Sequence, residues 1–428
     1  MKIKQSSLHF FLLMLIFITA SFDIALQFKV FEFTIRLPYV LALILIFFYF
    51  PRKLRFLGLY YFLVWTFFLS IFLFNTSLVS RNIGYLLWHS LHFFLIISIA
   101  QVANDDRKFM ILFRLYLYSF AFIAYLGLFQ FFLGVFGVDF YVEQWWIENR
   151  LPRVNGFSYE PSYYATYLII GWTIFFFFVV QRTYLLPKHL TKHFLFILTL
   201  ALVLSSSRLG IFFMASVVMA FSLWISVKSV FTLVVLRKHI YFLCFSLFLF
   251  LCTLAYVVPM IVSKYSFLLN GTGLAGQASH STVRFETMSD MIGIILNNPF
   301  EGTSLGGIPS AIAKYKGFEI TSVAEAKNFE GINVFLEVFI ASGLIGFFFF
   351  ILYLVKIIMS SFAILNNKVF DIQTKSISNA LIISFLVELA ILCFNQNILR
   401  IYLWLHIAMI NAFYFTCVKK AKSSNGTI

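Results

Sequence analysis

The chain has 428 residues, 61% of them hydrophobic and only 11% charged, with a mean hydropathy of +0.93. A water-soluble domain of this size could not solvate such a surface, so the composition excludes one and points to an all-α polytopic membrane protein. The formal charge of +15 does not indicate nucleic acid, because the basic residues sit in short clusters between apolar runs, the pattern that sets membrane topology.

Twelve apolar stretches predict spans at Leu8–Leu26, Leu37–Phe50, Leu57–Phe74, Ile83–Ala100, Phe109–Val135, Ser162–Val180, Leu190–Ser206, Gly210–Val227, His239–Val262, Ile332–Ile358, Ile377–Phe394 and Ile401–Val418. The first follows Lys2 and Lys4, lacks a small-residue cleavage site and reads as an uncleaved span. The second is short, and either tilts differently or extends toward Thr34. Cys244, Cys252, Cys393 and Cys417 fall inside apolar runs without metal-ligand or redox spacing, and read as core residues. With both termini in the cytoplasm, every inside connection carries a basic cluster, for example Arg52, Lys53 and Arg55, or Lys419, Lys420 and Lys422. Acidic residues concentrate on the other side, which makes Phe136–Pro161 and Ser263–Glu330 exterior. No internal repeat or linker divides the chain, so residues 1–428 read as one transmembrane domain with a large loop at 263–330.

That loop is too long to be structureless in a compact protein. Ser281 to Leu296 has helical periodicity, with Met288, Met291 and Ile295 on one face and Glu286, Ser289 and Gly293 opposite. Asn298-Pro299 ends the helix. Arg284 lies on the apolar face, where it either snorkels to headgroups or points into a polar cavity.

Few charges remain in the outer half of the membrane. Arg150 and Arg153 precede Glu160, which Pro161 places at a helix N-terminus. Arg208 follows three serines in a tight outer turn, where positive charge is disfavoured. Asn333 and Glu337 share a helix face at i,i+4. Arg400 ends the last outer connection, with snorkelling as the simplest account. Glu388, deep in a span, either makes a buried polar contact or lines a cavity, and His89 and His92 read as contacts between helices. Arginine forks match phosphate oxygens, and a nearby carboxylate can take a proton from a sugar hydroxyl. There is no Gly-Lys-Ser/Thr phosphate loop, His-Glu-x-x-His or Asp-x-Asp, so metal-nucleotide chemistry is not indicated.

At these places the chain resembles the bacterial O-antigen polymerase and O-antigen ligase superfamily. The pieces are Arg153-Val-Asn-Gly-Phe-Ser-Tyr-Glu-Pro-Ser162, Ser207-Arg208, Arg284, Asn298-Pro299-Phe-Glu-Gly302, and Asn333-Val-Phe-Leu-Glu337 followed by Gly343 and Gly346. The resemblance implies a glycosyltransferase at the outer face of the bacterial inner membrane, needing neither nucleotide nor metal. Its substrate would be an undecaprenyl-pyrophosphate-linked oligosaccharide within the membrane lipids. A chain-length regulator and a flippase stay open as protein partners. Ligases of the superfamily look to carry a His just before the Asn that opens the tenth span. Ile332 stands there, which favours a polymerase of O-antigen or a related surface polysaccharide. Arg208 and Arg284, with Glu160 or Glu337, are then the candidate catalytic residues, and Arg150, Arg153, Asn333 and Arg400 candidate substrate contacts. The alternatives are a ligase acting on lipid A core and, from another class, a flippase for lipid-linked sugars.

Overall fold

The computed structural model describes residues 5–30, 33–48, 53–147, 150–231, 244–248, 250–252, 255, 280–396 and 398–425. Lipid offers backbone groups no partners, so a chain of apolar runs must satisfy them within helices. Three shorter apolar helices come first: α1 (Gln5–Thr19), α2 (Leu37–Phe48) and α3 (Leu59–Ile71). Five helices long and apolar enough to cross a membrane follow: α4 (Val79–Val102), α5 (Asp106–Val135), α6 (Pro161–Gln181), α7 (Lys188–Ser205) and α8 (Arg208–Phe231). The long loop supplies α9 (His280–Asn297), α10 (Ile308–Tyr315) and α11 (Val323–Ala326). Three more membrane-length helices close the chain: α12 (Val334–Asn366), α13 (Ile372–Leu392) and α14 (Ile401–Asn425). The protein is thus an all-α polytopic membrane protein. The predicted span His239–Val262 lies largely outside the described residues.

Two predicted spans change shape for one reason. The first ends at Thr19 rather than Leu26, and the second does not extend toward Thr34. Between them β1 (Gln27–Val30) and β2 (Phe33–Arg36) pair antiparallel. Asp23 is buried in an ion-paired site at the helix ends, and a chain held there cannot continue as a lipid-facing helix. A second small hairpin, β3 (Trp145–Ile147) with β4 (Leu151–Pro152), lies before α6.

α12 packs along α3, α6 against α13 and α7, and α14 against α4. His89 and His92 serve these contacts as expected: His89 Nε2 bonds Thr66 Oγ1 at 2.9 Å, and His92 stacks on Trp404. Glu388 is a buried contact, its carboxylate 2.7 Å from His406 Nδ1. One end of the bundle carries basic residues, where Lys108 pairs with Asp105 and Lys420 with Asp106. The other end is polar and takes the hairpins and the loop helices.

α9 begins and ends within a residue of its predicted limits, and Met291 is its buried anchor. Gly293, expected on the outward face, packs instead against Tyr315 of α10.

The loop does more than cover the bundle, because α12 is broken at Gly343, with φ 65° and ψ 178°. Pro299–Ser304 runs alongside and satisfies the freed backbone. Thr303 N–H donates to Ile340 O at 3.0 Å, Ser304 N–H to Ala341 O at 2.8 Å, and Leu344 N–H to Pro299 O at 2.7 Å. Broken backbone in a membrane protein persists only where protein supplies such partners. A Cβ at Gly343 would sit 2.5 Å from Phe300 O. Gly343→Ala is therefore expected to lose about 3 kcal/mol of stability. Heating the purified variant in detergent checks this, and a wild-type melting temperature would refute the account.

Candidate functional site

Residues 393–396 and 398–400, between α13 and α14, tie the polar end together. Asn333 caps α12: its Oδ1 accepts Phe335 N–H at 2.9 Å and Leu336 N–H at 3.1 Å, and its Nδ2 donates to Cys393 O at 2.7 Å. Those bonds make Asn333 an anchor for the start of α12. Asn395 Nδ2 donates to Thr166 Oγ1 at 2.7 Å, and Gln396 Nε2 to the Tyr163 hydroxyl at 2.5 Å. The first turns of α6 and α12 therefore meet on this connection.

Arg400 is 6% exposed, so it does not snorkel. Its guanidinium lies 3.3 Å from the Tyr163 ring centroid, a cation–π contact strengthened by burial. Its Nη1 pairs with Asp23 Oδ2 at 2.5 Å, and Asp23 Oδ1 also receives Arg36 Nη1 at 3.1 Å. Tyr159 N–H donates to the same carboxylate at 3.3 Å. Burial works to raise the Asp23 pKa, but the Arg36 and Arg400 guanidiniums outweigh it and hold the carboxyl below its usual value. Asp23 thus binds the first connection, the last connection and the Tyr159-Glu160 segment into one unit.

Glu160 is the N-cap of α6 and Pro161 opens the helix, as the sequence predicts. Its Oε2 accepts the Ser162 hydroxyl at 2.9 Å. The carboxylate is half-buried at the helix N-terminus.

Arg153 reaches the turn that precedes Arg208. Its Nε donates to Ser206 Oγ at 3.0 Å and its Nη1 to Gln144 Oε1 at 2.6 Å. Trp146 Nε1 donates to the same Ser206 Oγ at 2.7 Å. Ser206 adopts a left-handed conformation, φ 47°, which lets the chain reverse between α7 and α8. Just beyond, α8 lies close on α6: a Cβ on Gly210 would fall 2.8 Å from Ala165 Cβ. Two sequence segments some fifty residues apart, one carrying Arg153 and Glu160 and the other Arg208, therefore share the polar end. Arg208 and Arg150 are exposed there. Arg284 belongs to α9, and its side chain lies outside the described residues.

A second buried cluster was not singled out from sequence. Arg81, in the first turn of α4, is 4% exposed. Its Nη2 meets Glu330 Oε1 at 2.6 Å and donates to the Tyr85 hydroxyl at 2.8 Å, while its Nη1 is buried without a partner among the described residues. Glu337 is nearby: Gly331, next to Glu330, packs so close that a Cβ on it would lie 2.5 Å from Glu337 Oε1. The signal was available. Arg36 and Arg81 stand at span ends that the topology expected from sequence puts outside, where cations are disfavoured, the argument that singled out Arg208.

Residues 193–351 match the family model described as O-antigen ligase. That match supports the O-antigen polymerase and ligase superfamily. No curated protein and no solved structure matches the chain. The superfamily segment runs from α7 to the middle of α12 and holds Arg208, Arg284, Glu330, Asn333 and Glu337. The family is one of membrane glycosyltransferase-like enzymes of the ligase or polymerase type and implies lipid-linked polysaccharide substrates. Arg153, Glu160 and Arg400 lie beyond the matched residues and are joined to them by the contacts at the ends of α6, α8 and α12.

Proposed function

We propose that the protein is a polysaccharide polymerase of the O-antigen type. It moves a growing glycan from undecaprenyl pyrophosphate onto the next lipid-linked repeat unit, at the outer face of the bacterial inner membrane, with both termini cytoplasmic. The observation that carries this reading is the convergence of Arg153, the Arg208 turn and Glu160 at one end of a bundle otherwise poor in charge. In the reaction an acceptor hydroxyl oxygen attacks the anomeric carbon, and the bond from that carbon to the diphosphate oxygen breaks. The bonding pair leaves with the diphosphate. Arg208, Arg153 and Arg284 stabilise the charge that grows there. Glu160 or Glu337 receives the hydroxyl proton. Arg150 adds positive potential at the mouth of the site, which draws in an anionic carrier. Arg400, locked to Asp23, shapes the Tyr163 wall. Ile332, where ligases of the superfamily look to carry His, favours polymerase over ligase.

Replacing Arg208 by Ala should reduce polymer formation about a hundredfold, the usual effect of losing one group that stabilises transition-state charge. The readout is the glycan ladder of a strain carrying the stably inserted variant. Single repeat units left on lipid A core fit a polymerase; long polymer left unattached on its lipid carrier would instead identify a ligase. A normal ladder would remove Arg208 from the mechanism.

A further inference from the structure

We infer that the cavity between α9, α10 and the start of α4 is a saccharide subsite that holds sugars of the lipid-linked repeat unit; this rests on the polymerase reading. The cavity has a volume of about 660 Å³, within the range of small-molecule sites.

Its walls are fixed before any ligand arrives. Ser77 Oγ donates to Ile320 O at 2.8 Å and shares a hydrogen bond with Ser310 Oγ at 2.8 Å. Asn75 Nδ2 donates to Gly302 O at 2.7 Å. Lys316 pairs with Asp290 at 3.0 Å, joining α10 to α9. Gly293 leaves room on α9 for Tyr315: a Cβ there would lie 2.2 Å from the Tyr315 hydroxyl oxygen. Four separate stretches of chain are thus tethered around one space, which lowers the ordering cost of binding.

The lining chemistry selects the ligand class. Asn297, Asn298, Glu301 and Glu319 are exposed side chains on the cavity wall. They offer amide and carboxylate groups that accept and donate to hydroxyls. Tyr315 and Phe318 line the same cavity, 46% and 58% exposed. They provide apolar ring surface for the C–H faces of a sugar. Two carboxylates against the single ammonium of Lys314 disfavour a phosphate. The polar wall disfavours a lipid tail. A polyol with apolar faces meets both conditions.

The cavity also reaches the reaction end. Thr303 and Ile340 line it. Thr303 O accepts Asn82 Nδ2 at 2.8 Å, next in sequence to Arg81. Ile340 lies one turn beyond Glu337 on α12. A glycan held here would run toward the Arg81, Glu330 and Glu337 cluster.

The test is binding to purified full-length protein in lipid nanodiscs. One probe is the repeat-unit oligosaccharide released by mild acid from the lipid-linked pool of the same cell, and the other is undecaprenyl phosphate. Phe318→Ala and Asn298→Ala should each weaken oligosaccharide binding about tenfold, the loss of one contact, and leave undecaprenyl phosphate binding unchanged. Both positions are exposed and outside the helices, so folding is spared, as a monodisperse profile would verify. Oligosaccharide binding equal in wild type and variants, or none to the wild type, overturns the subsite. Binding that the variants weaken, from a protein that forms no polymer, upholds the subsite and refutes the polymerase reading.

Discussion

Asp23→Ala is expected to destabilise the protein by about 3–5 kcal/mol, the usual result of breaking a buried ion pair from one side. Arg400→Met should do less harm, and the difference follows from who is left alone. Asp23 is 7% exposed and faces two guanidiniums. Removing Arg400 leaves the carboxylate paired with Arg36. Removing Asp23 leaves Arg400, 6% exposed, beside an aromatic ring and without its carboxylate. Arg36 is 23% exposed and can turn toward water. The order of melting temperatures in detergent should therefore be wild type, Arg400→Met, Asp23→Ala; the reverse order would show that Arg36 does not share the carboxylate. The double variant Asp23→Leu/Arg400→Met should recover much of the loss, because no buried charge remains unpaired.

The same group fixes a pH dependence. The folded-state pKa of Asp23 is lowered from 3.8, so its contribution is fully present above about pH 4 and is lost as pH falls through the lower folded value. Between pH 5 and pH 8 the gap between wild type and Asp23→Asn should be flat, and below pH 3.8 it should close.

Elements whose signal is local were legible in the sequence. α9 announced itself through periodicity and the Asn298-Pro299 stop, and Glu160 through the proline after it. The arginine turn at Ser205–Arg208 was visible because a cation stood on the wrong side for topology. What stayed hidden depended on pairing across long separations. Asp23 meets Arg400 from the opposite end of the chain, and hydropathy alone placed it inside a continuous first span. Arg400, judged by its position at a span end, read as snorkelling, since its partner carboxylate was unknown. Asn333 was visible as a polar residue at a membrane boundary, but the bond from its amide to Cys393 O, sixty residues on, was not. The break in α12 left only a glycine in the sequence, and its meaning came from the loop backbone laid against it. Hydropathy reports the apolar length of a segment, but it does not report which polar groups from distant segments will neutralise one another.

If the protein is the polymerase proposed above, Glu330→Gln should reduce polymerisation about a hundredfold, the scale set by misplacing a reacting group by about 1 Å. Glu330 does not need to touch the substrate to have this effect. It anchors the end of the long loop to α4 through Arg81, and Gly331 next to it rests on the Glu337 carboxylate. Without the anchor, the segment that fixes Glu337 and the start of α12 loses its registration. The two members of the pair are again unequal. Arg81 is 4% exposed and Glu330 35%, so Arg81→Met frees a carboxylate that can hydrate, whereas Glu330→Gln strands a buried cation with the Tyr85 hydroxyl. Arg81→Met should therefore be the milder change in stability. Adding it to Glu330→Gln should restore the melting temperature without restoring the rate, because the stranded charge is gone and the anchor is still missing. Rates measured on purified protein with a lipid-linked repeat unit, beside melting temperatures of the same samples, separate the two effects. If the double variant regains both, the pair matters only for stability; if Glu330→Gln polymerises at the wild-type rate, the loop anchor has no part in positioning Glu337.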